Sequence, residues 1–131
     1  MPAPDGFIPL DDPGPFLEHV GPVLASVDGT VLGIQAAPHH LNSGGTVMGG
    51  LLATLVDAAL AAGIRQGASD DVEIATVSLT TDYLRAAPAE AWLEASTEVE
   101  RIGGRLAFAD CSVRADGEEC VRARAVFAVR S

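Results

Sequence analysis

The sequence predicts an α+β domain in which one long helix packs on an antiparallel sheet. The first observation is a run of alanines, leucines and glycines from residue 50 to 66, ended by Gly67, which favours a helix. The second is a set of six strand-like segments, of which two short apolar runs precede the helix and four longer segments with alternating apolar and polar residues follow it. A chain of 131 residues suits one domain of this kind.

The elements before the helix are short. Residues 1–15 hold five of the eight prolines, so we expect a flexible N-terminal arm before a single domain at 16–131. A brief helix is predicted at 16–20. Two apolar runs then flank Asp28-Gly29, a pair typical of a type I′ hairpin turn. The loop APHHLNSGGTV, rich in turn residues, leads into the long helix.

Four strand-like segments follow the helix. They are EIATVSLTTDYL, AWLEASTEVERI, RLAFADCSVRA and CVRARAVFAVR, and short turns between the last three predict a meander. With the two hairpin strands, they make a six-stranded sheet. Because the helix is apolar on nearly all sides, we expect it to be buried by a strongly curved sheet or by a second subunit.

Composition excludes several classes of function. The net charge is −10 and every basic residue is arginine. The chain therefore lacks the excess of positive charge that favours binding to nucleic acids or to anionic membranes. The apolar helix is a poor membrane span because it contains Asp57 and early glycines. The N-terminal residues lack a signal-peptide pattern, and two cysteines without metal or redox spacing indicate free thiols, so we expect a cytoplasmic protein.

A single carboxylate interrupts the apolar helix. An unpaired buried charge is costly, so Asp57 needs a structural partner or a function. At the helix start, Gly49 and Gly50 leave backbone N–H groups that suit an oxyanion hole. Asp57 lies about 12 Å further along the same axis, too far to act on the same carbonyl. If both elements are catalytic, two antiparallel helices would complete each site, which predicts a homodimer with shared sites.

The run NSGGTVMGGLLATLVD, from Asn42 to Asp57, resembles the signature of hotdog-fold acyl-CoA thioesterases of the phenylacetic-acid type, related to 4-hydroxybenzoyl-CoA thioesterase. TVSLTTDYLRAA and the last three strands extend the likeness to roughly residues 20–130. The resemblance implies a hotdog fold, in which an antiparallel six-stranded curved sheet wraps around one long central helix. It also implies dimers and often tetramers.

The resemblance implies hydrolysis of an acyl-CoA or aryl-CoA thioester to a free acid and CoA, with no metal or organic cofactor. It assigns catalytic roles to four positions. The Gly49 N–H, assisted by Asn42, would polarise the thioester oxygen. Asp57 of the partner chain would act as general base or as nucleophile. Thr76 stands where relatives place a hydroxyl that helps to hold the attacking water.

Six positions are candidate substrate contacts. Met48 replaces the histidine of the family's His-Gly-Gly, which removes one side-chain hydrogen bond and leaves a thioether suited to an acyl pocket. His39 and His40 lack further metal ligands and are interpreted as a solvated loop, with His40 at the edge of the site. The other contacts are Gly50 at the helix start and, for the CoA phosphates, Arg85, Arg101 and Arg105.

Other interpretations stay open. A non-catalytic module that binds acyl-CoA or an aromatic acid would keep the pocket without the chemistry, and Met48 favours it. A hydroxyacyl-thioester dehydratase would need a catalytic histidine beside the helix start, where none stands. At the level of single residues, Asn42 is also a common turn-setting residue, and Thr76 is a common strand former.

Overall fold

A computed structural model describes residues 4–130, which form one antiparallel sheet and two helices. The strands are β1 (Phe7–Pro9), β2 (Leu24–Ser26), β3 (Val31–Gln35), β4 (Glu73–Tyr83), β5 (Trp92–Ile102), β6 (Leu106–Ala115) and β7 (Glu118–Arg130). The helices are α1 (Pro15–Val20) and α2 (Gly49–Gly67), and a 3₁₀ turn covers Pro38–His40. The strand order β1-β2-β3-β5-β6-β7-β4 places the last three strands of the chain side by side, which confirms the predicted meander.

The sheet has seven strands among the described residues, one more than the sequence predicted. The additional strand, β1, comes from within the predicted N-terminal arm and pairs with β2 in the register Ile8 to Ala25. The Phe7 ring meets Trp92 edge to face, with centroids 5.1 Å apart. Residues 1–3 of the arm and Ser131 lie outside the described residues, and the domain boundary at residue 16 stays a prediction.

The hairpin of β2 and β3 is confirmed, but its predicted turn type is wrong. A type I′ turn needs two residues with positive φ. Gly29 has φ 76°, whereas Asp28 is not among the described residues with positive φ. Instead, the Asp28 carboxylate accepts hydrogen bonds from the hydroxyls of Ser26 (2.7 Å) and Thr30 (2.8 Å), which close the longer loop.

Helix α2 packs across β3, β4, β5, β6 and β7. Five strands about 4.8 Å apart are wider than a single helix, so contact with all of them requires a sheet that curves around α2, and the predicted hotdog fold is confirmed. The helix buries one face, formed by Leu52, Leu55, Val56, Ala59, Leu60 and Ile64. No helix of the described residues has the length and hydropathy that a membrane span requires.

Strand β4 forms one edge of the sheet and contains a bulge. Its register with β7 shifts between Thr76 and Ser78, so Val77 is the extra residue. Side chains alternate between the two faces of a strand. The inserted residue therefore changes whether the even-numbered or the odd-numbered positions face α2. Thr76 before the bulge and Leu79 after it therefore both face α2 and line the same groove.

Candidate active site

The start of α2 presents two backbone donors. The Met48 carbonyl accepts hydrogen bonds from the N–H groups of Leu51 (3.0 Å) and Leu52 (3.2 Å). The Met48 side chain does not cap the helix. Within residues 4–130, the N–H groups of Gly49 and Gly50 have no protein acceptor. They point out of the positive end of the helix dipole, which suits a developing negative charge on oxygen.

The two glycines differ in their surroundings. A Cβ added at Gly49 would lie 3.4 Å from the ring of Tyr83, an ordinary contact, whereas one added at Gly50 would meet nothing within 4 Å. Glycine in a helix is less favourable than alanine, and packing within this chain does not require it at Gly50. A groove of about 430 Å³ borders Gly50, with Met48 and His40 in its wall.

Asp57 and Thr76 come together from two elements. Asp57 on α2 is half-buried, and its Oδ1 accepts a hydrogen bond of 2.7 Å from the Thr76 hydroxyl on β4. Both residues line a groove of about 580 Å³. In the part of the chain that the structure describes, no arginine or histidine forms an ion pair with Asp57. The carboxylate is thus held by a neutral hydroxyl and faces an open groove.

Gly49 and Asp57 occupy the same helix, eight residues apart, which confirms the predicted placement. At 1.5 Å per residue they are about 12 Å apart along the axis. One chain therefore does not bring the two groups to one carbonyl, and the sharing of a site between two chains stays a prediction.

Asn42 closes the loop that precedes α2. Its amide oxygen accepts hydrogen bonds from the N–H groups of Gly44 (2.9 Å) and Thr46 (3.2 Å), and its amide nitrogen donates to the Thr46 hydroxyl (3.0 Å). These contacts are the turn-setting role that asparagine often has. An additional role toward a thioester oxygen stays a prediction.

His40 is buried, with 3% of its surface exposed, so the predicted solvated loop is wrong at this position. Its Nδ1 accepts a hydrogen bond from the Ala37 N–H (3.0 Å), and its Nε2–H donates to the Val20 carbonyl (2.8 Å). With both ring nitrogens satisfied, a neutral imidazole is buried at little cost. The His40 carbonyl accepts the Met48 N–H (2.9 Å), so this residue connects the end of α1 to the start of α2.

The three candidate phosphate-binding arginines are not brought together within one chain. Arg85 is exposed and pairs with Glu118 at the start of β7 (2.6 Å). Arg101 and Arg105 are also exposed, and the Arg105 carbonyl accepts the Val129 N–H near the end of β7. These two ends of β7 are roughly 35 Å apart along the strand. Arg85 therefore cannot bind the same phosphate of one ligand as the other two do.

Tyr83 is a residue of this region that the sequence analysis did not assign. Its hydroxyl donates a hydrogen bond of 2.7 Å to the Gly49 carbonyl, and its ring covers Gly49. The available signal was its position within the segment TVSLTTDYLRAA, near the end of the predicted strand EIATVSLTTDYL. The contact joins the last residue of β4 to the first residue of α2 and holds the peptide plane that carries the Gly50 N–H.

The two cysteines do not contribute a nucleophile. Both thiols are free and buried. Burial raises the pKa of Cys111 to about 11, and it raises the pKa of Cys120 as well. Nearly all of each thiol is therefore protonated at neutral pH, and the thiolate that would attack a thioester is scarce.

Known proteins resemble this chain in sequence and in fold. A family model described as the thioesterase superfamily matches residues 44–121. A Pseudomonas aeruginosa protein named "Putative esterase" is 33% identical over 97% of each chain. A Bacillus halodurans protein solved with CoA has a TM-score of 0.81 at 20% identity, over 88% of this chain and 76% of its own. A mutant form of the phenylacetic acid degradation protein PaaI from Thermus thermophilus has a TM-score of 0.69 at 25% identity, over 77% of this chain and 84% of its own.

Proposed function

The chain belongs to the thioesterase superfamily, and from that premise we propose that it hydrolyses an acyl-CoA or aryl-CoA thioester at sites shared by two subunits. The observation that carries this proposal is the Asp57 carboxylate, which lies in an open groove without a cationic partner among the described residues. CoA as the carrier is supported by the similar fold of the Bacillus halodurans protein, which was solved with CoA.

The backbone at the start of α2 supplies the electrophilic half of the reaction. The thioester oxygen would accept a hydrogen bond from the Gly49 N–H, and Gly50 leaves room for its approach. Negative charge that develops on this oxygen is stabilised by the donor and by the helix dipole. This arrangement needs no histidine side chain, so Met48 at the motif position leaves it in place.

Asp57 supplies the nucleophilic half. As a general base it takes a proton from water while the water oxygen forms a bond to the thioester carbon. The C–S bond then breaks, and the CoA thiolate leaves and takes up a proton. As a nucleophile it forms an acyl anhydride with loss of CoA, and water then hydrolyses the anhydride. Thr76 orients the carboxylate in either route, since its hydroxyl donates to Oδ1.

Sharing of the site is supported by two surfaces that one chain leaves uncovered. The outer edge of β4 carries no neighbouring strand among the described residues, and Val77 on it is 61% exposed. The face of α2 around Asp57 is only partly buried. Pairing of two β4 edges across a twofold axis would bring the two helices side by side, so that each Gly49 faces the partner's carboxylate.

The central test is Asp57→Asn, with release of CoA thiol followed over short, long and aromatic acyl-CoA substrates. We expect turnover to fall by about a thousandfold, because the base or nucleophile is lost, while circular dichroism and the melting temperature change little. Asp71→Asn, at an exposed carboxylate in the loop after α2, is the matched control and should keep full activity. A fully active Asp57→Asn enzyme would reject the proposed role.

Subunit sharing has its own test. Asp57→Asn and Gly50→Leu each destroy one half of a site, and the Cβ of the leucine at position 50 would meet nothing within 4 Å. When the two inactive proteins are mixed and allowed to exchange subunits, half of the dimers carry one variant of each kind and one intact site. Activity should return to about a quarter of the wild-type value. If no activity returns although exchange is confirmed by native mass spectrometry, the two halves belong to one chain.

A second candidate is a non-catalytic acyl-CoA-binding protein. Met48 favours it, because its side chain is 52% exposed at the helix start and cannot donate the hydrogen bond of a histidine. Binding of acyl-CoA without turnover over the same substrates, with turnover appearing in Met48→His, would support this candidate. Rapid turnover by the wild type would exclude it.

A further inference from the structure

The segment from Leu10 to Leu17 covers one side of the Asp57 groove. It includes the loop before α1 and the first residues of α1, and it faces the small alanine side chains of α2 across the groove. The Leu10 N–H donates to the Val23 carbonyl (2.9 Å), which fixes one end. The Val20 carbonyl at the end of α1 is bound by His40 (2.8 Å), which fixes the other.

Phe16 is the prominent side chain of this segment. It is 66% exposed. It lines both the groove of about 580 Å³ beside Asp57 and the groove of about 430 Å³ beside Gly50. A large aromatic ring in the wall of the Asp57 groove is well placed to contact a ligand held at that carboxylate.

The charges of the groove favour a neutral ligand. Its walls are mostly apolar, with the alanines of α2 on one side and Leu17 and Leu79 nearby. Its charged residues other than Asp57 are two carboxylates, Asp11 and Asp12, and one arginine, Arg65. A ligand that brought a further carboxylate into this groove would be repelled by the acidic majority.

Resting on the function proposed above, we propose that the Leu10–Leu17 segment forms one wall of the acyl-binding site and selects a neutral, apolar acyl group, with Phe16 as the residue that determines its preferred length. The acyl group is the occupant because the groove contains Asp57 and Thr76, the groups proposed to act at its carbonyl end. A methylene chain or an aryl ring that extends from this carbonyl passes between Phe16 and the alanines of α2.

Equilibrium binding of S-alkyl-CoA thioethers, which cannot be hydrolysed, tests the inference without relying on turnover. The probes are ethyl, butyl and octyl thioethers, with a carboxyl-terminated partner for the longest, measured by calorimetry. We expect Phe16→Ala to weaken octyl binding relative to ethyl binding by about tenfold, the loss for roughly two buried methylenes. Val27→Ala is the matched control, since it removes an apolar side chain that is 74% exposed in the β2–β3 turn, outside both grooves.

The charge selection is tested by Asp11→Asn combined with Asp12→Asn. Asn suits both positions, and it tolerates the φ of 46° at Asp12. We expect the double variant to bind the carboxyl-terminated thioether about threefold more tightly relative to its neutral counterpart. A wild type that prefers the carboxyl-terminated probe would overturn the inference.

The remaining outcomes separate this inference from the proposed hydrolysis. If the binding pattern is as expected but no thioester is turned over, the Leu10–Leu17 segment is supported as a wall of the acyl-binding site, and the proposed hydrolysis is rejected. If turnover is rapid but Phe16→Ala changes the affinity for all thioethers equally, the proposed hydrolysis is supported, and the inference about the Leu10–Leu17 segment is overturned. If Phe16→Ala changes the native mass without changing the relative affinities, the segment covers a second copy of the chain, and the inference is again overturned.

Discussion

Replacement of Gly50 by alanine separates the stability of the fold from the chemistry of the proposed site. The added methyl group meets no atom of the chain within 4 Å, and alanine is favoured over glycine in a helix by about 0.5–1 kcal/mol. For a chain of 131 residues, the entropy of unfolding is about 0.28 kcal/mol/K. The melting temperature should therefore rise by about 2–4 °C.

The same methyl group should damage catalysis. It occupies the space through which a thioester oxygen would approach the Gly49 N–H, and loss of one oxyanion-hole donor typically lowers turnover by about 100-fold. The assay compares calorimetric melting with thiol release from the best acyl-CoA substrate. Gly104→Ala is the control, because its Cβ also enters open space, in the β5–β6 turn; it should leave turnover unchanged. A Gly50→Ala protein with wild-type turnover would refute the argument that this opening admits the substrate.

Three further results are expected. Thr76→Val should lower kcat about tenfold while Thr76→Ser retains most of it, because the hydroxyl that holds Asp57 at 2.7 Å is lost in the first and kept in the second. Thiol reagents at pH 8 should modify the protein only after unfolding, because burial raises the pKa of Cys111 to about 11. The Ser26 hydroxyl and other hydrogen bonds of the turn hold the pKa of Asp28 below its usual value, so Asp28 adds stability that is present above about pH 4 and is lost as the pH falls through its folded-state pKa. Urea midpoints should therefore fall less in Asp28→Asn than in the wild type between about pH 5 and pH 2.

The long elements were predictable because their pattern is local. Helix α2 and strands β4–β7 each repeat their hydrophobic period over ten residues or more, and the structure has them within a few residues of the predicted bounds. Strand β1 was not predictable in this way. It has three residues, ends at Pro9, and is held by pairing with β2 and by the contact of Phe7 with Trp92. Those partners are distant in sequence, and its own composition resembles a loop.

The same difference between local patterns and contacts distant in sequence applies to the residues of the site. Gly49 and Asp57 were predictable together because their spacing on one helix is fixed by helix geometry. The burial of His40 depends on the Val20 carbonyl, 20 residues away. The contact of Tyr83 with Gly49 spans 34 residues. A histidine in a turn-rich loop and a tyrosine at a strand end each fit several environments, and tertiary contacts decide between them.

The extra residue in β4 changes which positions of the strand face α2. Upstream of Val77 the even-numbered positions face the helix, and downstream the odd-numbered positions do. Thr76 therefore reaches Asp57 in the middle of α2, and Tyr83 reaches Gly49 at its first residue. If Val77 were instead accommodated by regular alternation without a bulge, Tyr83 would turn outward and Asp82 would take its place beneath the helix. The contacts of β4 with both proposed halves of the site thus depend on the bulge that accommodates Val77.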